Sequence, residues 1–142
     1  MDVRVMRSDD LARVQALAAQ LGYPVAQAAL EERFAELSGR AEHLLLVALE
    51  RGVVVGWLHA FTTAPIYLAA FAEVAGLVVD EAHRGRGAGA ALMHEAERWA
   101  ARWQLGEVRL RSAVHREQAH RFYERLGYAR VKTQHTFVRG VG

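Results

Sequence analysis

The feature that most constrains this chain is a glycine-rich turn between a predicted strand and a predicted helix. Residues 73–80, EVAGLVVD, form a short apolar run typical of a buried strand, and a helical pattern begins at residue 87. Between them lie Gly85, Gly87 and Gly89. Glycine costs roughly 0.5–1 kcal/mol inside a helix or strand. Three glycines at one junction therefore indicate a backbone that turns sharply or approaches a ligand closely.

A strand, glycine turn and helix in succession are typical of phosphate-binding sites. Free N–H groups at a helix N-terminus attract anions, and Arg84 and Arg86 add positive charge. Residues 72–142 are also the basic half, with twelve Arg and Lys against eight Asp and Glu, whereas residues 1–71 have six against eight. A tight turn with two solvated arginines is the alternative that these residues leave open.

Two common phosphate-binding loops fit this turn poorly. A P-loop requires Gly-Lys followed by Ser or Thr, whereas Gly89 is followed by Ala90 and Ala91. The dinucleotide-binding pattern G-x-G-x-x-A does match Gly85, Gly87 and Ala90, but the acidic residue expected after the next strand is missing. The P-loop is therefore excluded, and a dinucleotide-binding domain has little support.

The hydrophobic pattern predicts one α/β domain over residues 1–142, with a mixed sheet covered by helices. A helix capped by Ser8 ends at Gly22, and a second begins near Pro24 and ends near Gly39. The predicted order is β-α-α-β-β-β-α-β-α-β-β. Its strands lie at 3–7, 43–50, 53–62, 73–80, 107–114 and 128–139 (one or two strands), and its later helices at 87–103 and 116–126.

Composition excludes several classes of function. The chain has no cysteine, which excludes disulfides, thiolate metal sites and an acyl-cysteine intermediate. A net charge of +2 gives little support to nucleic-acid binding. No apolar run reaches the roughly 20 residues of a membrane span, and the N-terminus does not resemble a signal peptide, so we expect a cytoplasmic protein.

The other polar residues form no recognisable metal or hydrolase site. His94-Glu95 begins an H-E-x-x-H pattern, but Arg98 stands where the second histidine is needed, so we expect no metal. No serine lies in a G-x-S-x-G turn. His59 either packs in the sheet or faces an acceptor pocket with Tyr67 and Phe71.

The segment Arg84-Gly85-Arg86-Gly87-Ala88-Gly89 matches the R/Q-x-x-G-x-G/A loop of the GNAT N-acetyltransferase superfamily. The flanking AEVAGLVVDEAHRGRGAGAAL resembles that family's fourth strand, loop and third helix, and HRFYERLGY (120–128) resembles its fourth helix and turn. The resemblance spans nearly the whole chain. It implies transfer of an acetyl group from acetyl-CoA to an amine, which attacks directly in a ternary complex.

The resemblance also implies roles for individual residues. The N–H groups from Gly85 to Gly89, including that of Ala88, would hold the pyrophosphate of acetyl-CoA with help from the two arginines. Backbone groups of Leu77, Val78 and Val79 would pair with the pantetheine arm, and one of their amides would polarise the thioester carbonyl.

Two side chains are the predicted catalytic groups. Glu73 corresponds to a glutamate that acts as general base in some members, although a structural ion pair is the alternative. Tyr123 corresponds to the family's tyrosine, which protonates the leaving thiolate. The family often has asparagine seven residues earlier, but here the residue is Arg116, which puts that coenzyme contact in doubt.

The acceptor itself is not specified by the sequence. A protein N-terminus, a lysine, an aminoglycoside, a polyamine and a small amino acid derivative all remain open, and many members of the family form homodimers. A non-catalytic acyl-CoA sensor on the same fold is the alternative function.

Overall fold

The computed structural model describes all residues from Met1 to Gly142, and the chain divides into two compact units, Met1–Leu110 and Arg111–Gly142. The first unit contains a five-stranded mixed sheet in the order β1-β2-β3-β4-β5. β1 to β4 pair antiparallel, and β5 pairs parallel with β4. The strands are β1 (Asp2–Val5), β2 (His43–Glu50), β3 (Val53–Thr63), β4 (Phe71–Val79) and β5 (Val108–Leu110).

Three helices belong to the first unit and one to the second. They are α1 (Leu11–Leu21), α2 (Gln27–Leu37) and α3 (Ala88–Arg102), followed by α4 (Glu117–Arg125) in the second unit. Single 3₁₀ turns lie at Ser8–Asp10 and Glu81–His83. No helix is both long enough and apolar enough to cross a membrane.

The two faces of the sheet are covered to different extents. On β3, Leu58 and Ala60 are fully buried on one face, and α3 packs against β2, β3 and β4. On the other face, α1 contributes Val14 and Leu17 to a cluster with strand residues that include Val47. Along β3 that second face is only half-buried from Trp57 onward.

A two-residue turn fixes the register of the β2–β3 hairpin. Arg51 and Gly52 both have positive φ, at 52° and 77°, as the favoured hairpin turn requires. A bulge between Ala48 and Leu49 then shifts the pairing by one residue, so that His43 lies opposite Phe61.

The predicted mixed α/β fold is confirmed, with two local corrections. Ser8 does not cap α1: Asp10 precedes the helix and accepts bonds from the Arg4 guanidinium at 2.8 and 3.0 Å and from the Arg7 N–H at 2.8 Å. Burial raises the pKa of Asp10, but these hydrogen bonds bring it below its usual range. The Asp10 side chain makes no cap hydrogen bond to α1 either, because its carboxylate is bonded to Arg4 and Arg7 instead.

The second correction concerns the C-terminal segment. The strands predicted within residues 128–139 are not formed, and no helix or strand follows α4. Val131, Phe137 and Val138 are almost fully exposed in this segment. Alternating apolar residues make a strand only where another strand offers its edge, and none pairs here. β5 is likewise shorter than predicted, with three residues rather than eight.

Candidate functional site

The end of β4 has an edge that no strand of the sheet covers. β5 pairs with Ala72–Val74 only, so the stretch Ala75–Val79 has a strand neighbour on the β3 side alone. Ala75 is also bulged out of register, because Val74 pairs with Ala60 and Gly76 pairs with His59. Bulges of this kind bend a strand and are common beside active sites. The predicted residues Leu77 and Val78 lie on this open stretch.

The glycine-rich turn begins just beyond this edge. Gly85 and Gly87 have φ values of 80° and 94°, which only glycine adopts readily, and a Cβ on either would meet nothing within 4 Å. The turn is therefore open rather than filled by protein.

Gly87 precedes α3, whose first backbone bond runs from the Ala91 N–H to the Gly87 carbonyl oxygen. The N–H groups of Ala88, Gly89 and Ala90 consequently have no acceptor inside the helix. Open space and free donors are what a pyrophosphate requires, so the residues present fit that group.

Both arginines of the turn already have protein partners. The Arg84 Nε donates to the Val79 carbonyl oxygen at 3.3 Å, and the Arg86 Nη1 donates to Glu50 Oε1 at 3.1 Å. The carbonyl oxygen of Val79, one of the residues predicted to pair with the pantetheine arm, thus already accepts one hydrogen bond from the turn itself. The arginines hold the turn against β4 and β2 as well as supplying charge.

Charged residues that were not predicted from the sequence also hold this turn in place. Asp80 directly follows β4 and accepts hydrogen bonds from Gln20, Arg13 and the Ala82 N–H. These hydrogen bonds lower the pKa of Asp80 to about 2, and the bond from Gln20 has the largest effect. His83 lies between Asp80, at 3.2 Å, and the second carboxylate oxygen of Glu50, at 3.8 Å.

No local sequence pattern marks this network, because its members are far apart along the chain. Arg13 and Gln20 are 67 and 60 residues from Asp80, and Glu50 is 36 residues from Arg86. None of them forms a local motif. They come together because α1 packs against β4 and because Glu50, at the end of β2, contacts His83 and Arg86 of the turn.

The half-buried face of β2, β3 and β4 carries the predicted base and a pair of histidines. Glu73 lies opposite Phe61, and His59 lies opposite Gly76. His59 Nε2 and His43 Nδ1 are 3.0 Å apart, so one ring donates a proton to the other. Burial, assisted by the neighbouring His43, lowers the pKa of His59 to about 4.

His43 was not singled out from the sequence, and hairpin geometry alone contains no signal for it. A two-residue turn at Arg51-Gly52 places residue 43 opposite Ala60, and one bulge moves it to Phe61. The turn alone would therefore place His43 on the face away from His59, and only the bulge, which no sequence pattern marks, brings both histidines to one face.

Tyr123 belongs to the second unit, on α4. Its ring is half-buried and makes edge-to-face contacts with Phe122 and Tyr128, with centroids 5.1 and 6.2 Å away. Burial raises the pKa of Tyr123, against a smaller opposing effect from the charge of Arg116. The phenol is therefore protonated at neutral pH and able to donate. No group of three or more His, Cys, Asp or Glu side chains is placed to hold a metal ion.

Comparison with known proteins identifies what this arrangement resembles. The model of the Acetyltransferase (GNAT) family matches residues 11–128. No curated protein matches the chain.

Solved structures match over nearly the full length. An aminoglycoside 6'-N-acetyltransferase, AAC(6')-Ig from Acinetobacter haemolyticus, is 19% identical with a TM-score of 0.84, covering 100% of both chains. A putative acetyltransferase from Agrobacterium tumefaciens is 23% identical with a TM-score of 0.85, covering 98% of this chain and 100% of its own. The aminoglycoside N-acetyltransferase AAC(6')-Iy, in complex with CoA, is 18% identical with a TM-score of 0.86, covering 97% and 93%. At these identities the likeness establishes the fold.

Proposed function

Because the chain belongs to the GNAT acetyltransferase family, we propose that it transfers the acetyl group of acetyl-CoA to the nitrogen of an amine. The observation that carries the proposal is the uncovered edge of β4 at Ala75–Val79, followed directly by the open glycine turn. An edge strand adds an extended chain through its backbone groups, and the turn offers N–H donors to a pyrophosphate. We also propose that residues 1–142 act as one domain.

In this proposal the pantetheine arm lies along Leu77, Val78 and Val79, and the pyrophosphate lies on the N–H groups from Gly85 to Gly89. A backbone N–H on the β4 edge polarises the thioester carbonyl. The Arg84 and Arg86 guanidiniums add positive charge around the phosphates.

The reaction is a direct attack, since the chain has no cysteine to carry the acetyl group. The amine nitrogen forms a bond to the carbonyl carbon, and the carbon–sulfur bond breaks with its electron pair on sulfur. Glu73 removes the proton from the amine, which is needed because an alkylamine with a pKa near 10.4 is almost fully protonated at neutral pH. Tyr123 donates a proton to the departing sulfur.

The test is amine-dependent release of coenzyme A. The protein is incubated with acetyl-CoA and a panel of amines, and free thiol is followed with a chromogenic disulfide. We expect release with at least one amine, reduced about 100-fold or more in Glu73→Gln. Tight binding of acetyl-CoA with no thiol release on any amine would contradict catalysis and favour a sensor on the same fold.

A further inference from the structure

The ring of Trp57 covers a glycine on the uncovered stretch of β4. A Cβ at residue 76 would lie 2.9 Å from both Cη2 and Cζ3 of Trp57, which is closer than side-chain atoms pack. Any side chain at this position would therefore have to displace the ring. Trp57 pairs with Val78, so its side chain runs diagonally across the strands to reach Gly76. Gly76 thus permits a close approach between the backbone and a ring.

Buried neighbours on both adjacent strands hold this ring in place. The register partner of Trp57 on β2 is Val47, which is fully buried, and its partner on β4 is Val78, which is 3% exposed. Trp57 itself is half-buried and packs against the cluster that contains these two valines. Protein interiors are packed so densely that a ring held in this way yields little space.

Gly76 and the proposed base lie on the same face of the sheet. Gly76 pairs with His59, and Glu73 pairs with Phe61, two residues further along β3. Residues two apart on a strand share a face and lie about 6.7 Å apart. A hydrogen bond of about 2.9 Å from a carboxylate to an amine nitrogen, followed by an attack distance of about 3.2 Å, covers nearly this length. In the proposed reaction the carbonyl carbon then lies beside Gly76, at the uncovered edge of β4.

We infer that Trp57 limits the acyl group of the donor to the two carbons of acetyl. This inference rests on the proposed acetyltransferase activity. A chain that extends from a carbonyl carbon beside Gly76 onto the sheet face meets Cη2 and Cζ3 of Trp57. A methyl group ends against this edge of the ring, whereas each further methylene has to displace a side chain that Val47 and Val78 hold.

The test is the affinity of the wild-type chain for acetyl-CoA, propionyl-CoA and butyryl-CoA, measured by titration calorimetry. Binding needs no acceptor, so the result does not depend on the choice of amine. We expect butyryl-CoA to bind about tenfold or more weakly than acetyl-CoA, with propionyl-CoA in between. Equal affinities for acetyl-CoA and butyryl-CoA would overturn the inference while leaving the acetyltransferase intact. If none of the three binds, the proposed function fails and the inference falls with it.

Variants at position 57 test whether the ring is the cause. The indole N–H of Trp57 is buried without an acceptor, so Trp57→Phe removes ring atoms without breaking a hydrogen bond. We expect Trp57→Phe and the smaller Trp57→Leu to bring the affinities for acetyl-CoA and butyryl-CoA within about threefold of each other. Trp57→Phe keeps an aromatic ring in the core and so decides the question even if Trp57→Leu does not fold.

The matched control is Trp103→Leu, because Trp103 is 52% exposed at the C-terminal end of α3. This variant should keep the wild-type ratio of the two affinities. A wild-type ratio in Trp57→Phe as well would overturn the role of Trp57.

A second substitution refills the space that the smaller side chain opens. In Trp57→Leu the ring atoms that crowd residue 76 are gone, so Gly76→Ala adds a methyl group there without a clash. The φ of Gly76 is not positive, so alanine fits its backbone. We expect the double variant to favour acetyl-CoA over butyryl-CoA at least about threefold more strongly than Trp57→Leu does. The same ratio in both variants would show that the acyl chain does not extend over Gly76.

Discussion

At the scale of single residues, the surroundings of His59 have a consequence for stability. Its folded pKa of about 4 lies below the ordinary 6.5, chiefly because burial penalises the charged ring. Below about pH 6.5 the unfolded chain therefore binds a proton that the folded chain does not accept until about pH 4. The contribution of His59 to stability is complete above that window and falls as the pH falls through it.

We predict that His59→Gln makes stability less dependent on pH between about 6.5 and 4.5. Glutamine retains a hydrogen-bonding side chain beside His43 but does not titrate. The measurement is the urea midpoint of unfolding at several pH values for both proteins. His94→Gln, on the exposed side of α3, is the control and should follow the wild type. An identical pH dependence in His59→Gln would mean that the ring is not held neutral.

Tyr123 provides the second test at this scale. We predict that Tyr123→Phe lowers kcat by about 10- to 100-fold while KM for acetyl-CoA changes little, because only the proton for the departing sulfur is lost. Tyr23→Phe removes a hydroxyl from an exposed tyrosine and should leave kcat unchanged. An unaltered kcat for Tyr123→Phe at neutral and alkaline pH would remove Tyr123 from the mechanism.

At the scale of elements, the ion pair between the end of β2 and the glycine turn affects ligand binding. Glu50 holds Arg86 through one oxygen, while its other oxygen is buried without a hydrogen bond. A diphosphate on the turn competes with Glu50 for the same guanidinium and is repelled by the carboxylate.

We therefore predict that Glu50→Gln binds coenzyme A about three- to tenfold more tightly, as expected for loss of one exposed charge pair. Glu36→Gln, on α2, removes the charge from a more exposed ion pair with Arg40 and serves as control. Weaker binding by Glu50→Gln, measured by calorimetry, would show instead that Glu50 orients Arg86 toward the phosphates.

Elements were predictable from the sequence where local chemistry decides them. The Arg51-Gly52 turn and the apolar runs on either side gave β2 and most of β3, and Gly87 marked the start of α3. The C-terminal strands were not predictable, because a strand depends on a partner edge that alternation around Val131 does not reveal. The ion pairs that hold the turn, such as the one between Arg13 and Asp80, depend on packing between distant segments and have no local sequence pattern.

At the scale of the whole molecule, the sheet separates two tasks within the first unit. In the proposed function, one stretch of β4, Ala75–Val79, would provide backbone groups for the coenzyme together with the turn and α3. The half-buried face that carries Glu73 would provide the base for the acceptor amine. Backbone recognition tolerates many side chains, which is why a short glycine pattern indicated the coenzyme while the acceptor surface needed the register of three strands.

The most direct test of coenzyme binding at the glycine turn is the affinity of the wild-type protein for acetyl-CoA and for S-acetylpantetheine. Both affinities are measured by titration calorimetry at low and high salt. S-Acetylpantetheine retains the thioester arm but lacks the diphosphate. We predict that acetyl-CoA binds at least about 100-fold more tightly, and that salt weakens acetyl-CoA binding alone, because the turn and its arginines act on the phosphates. Equal affinities for the two compounds, or no binding of acetyl-CoA, would contradict the proposed coenzyme site.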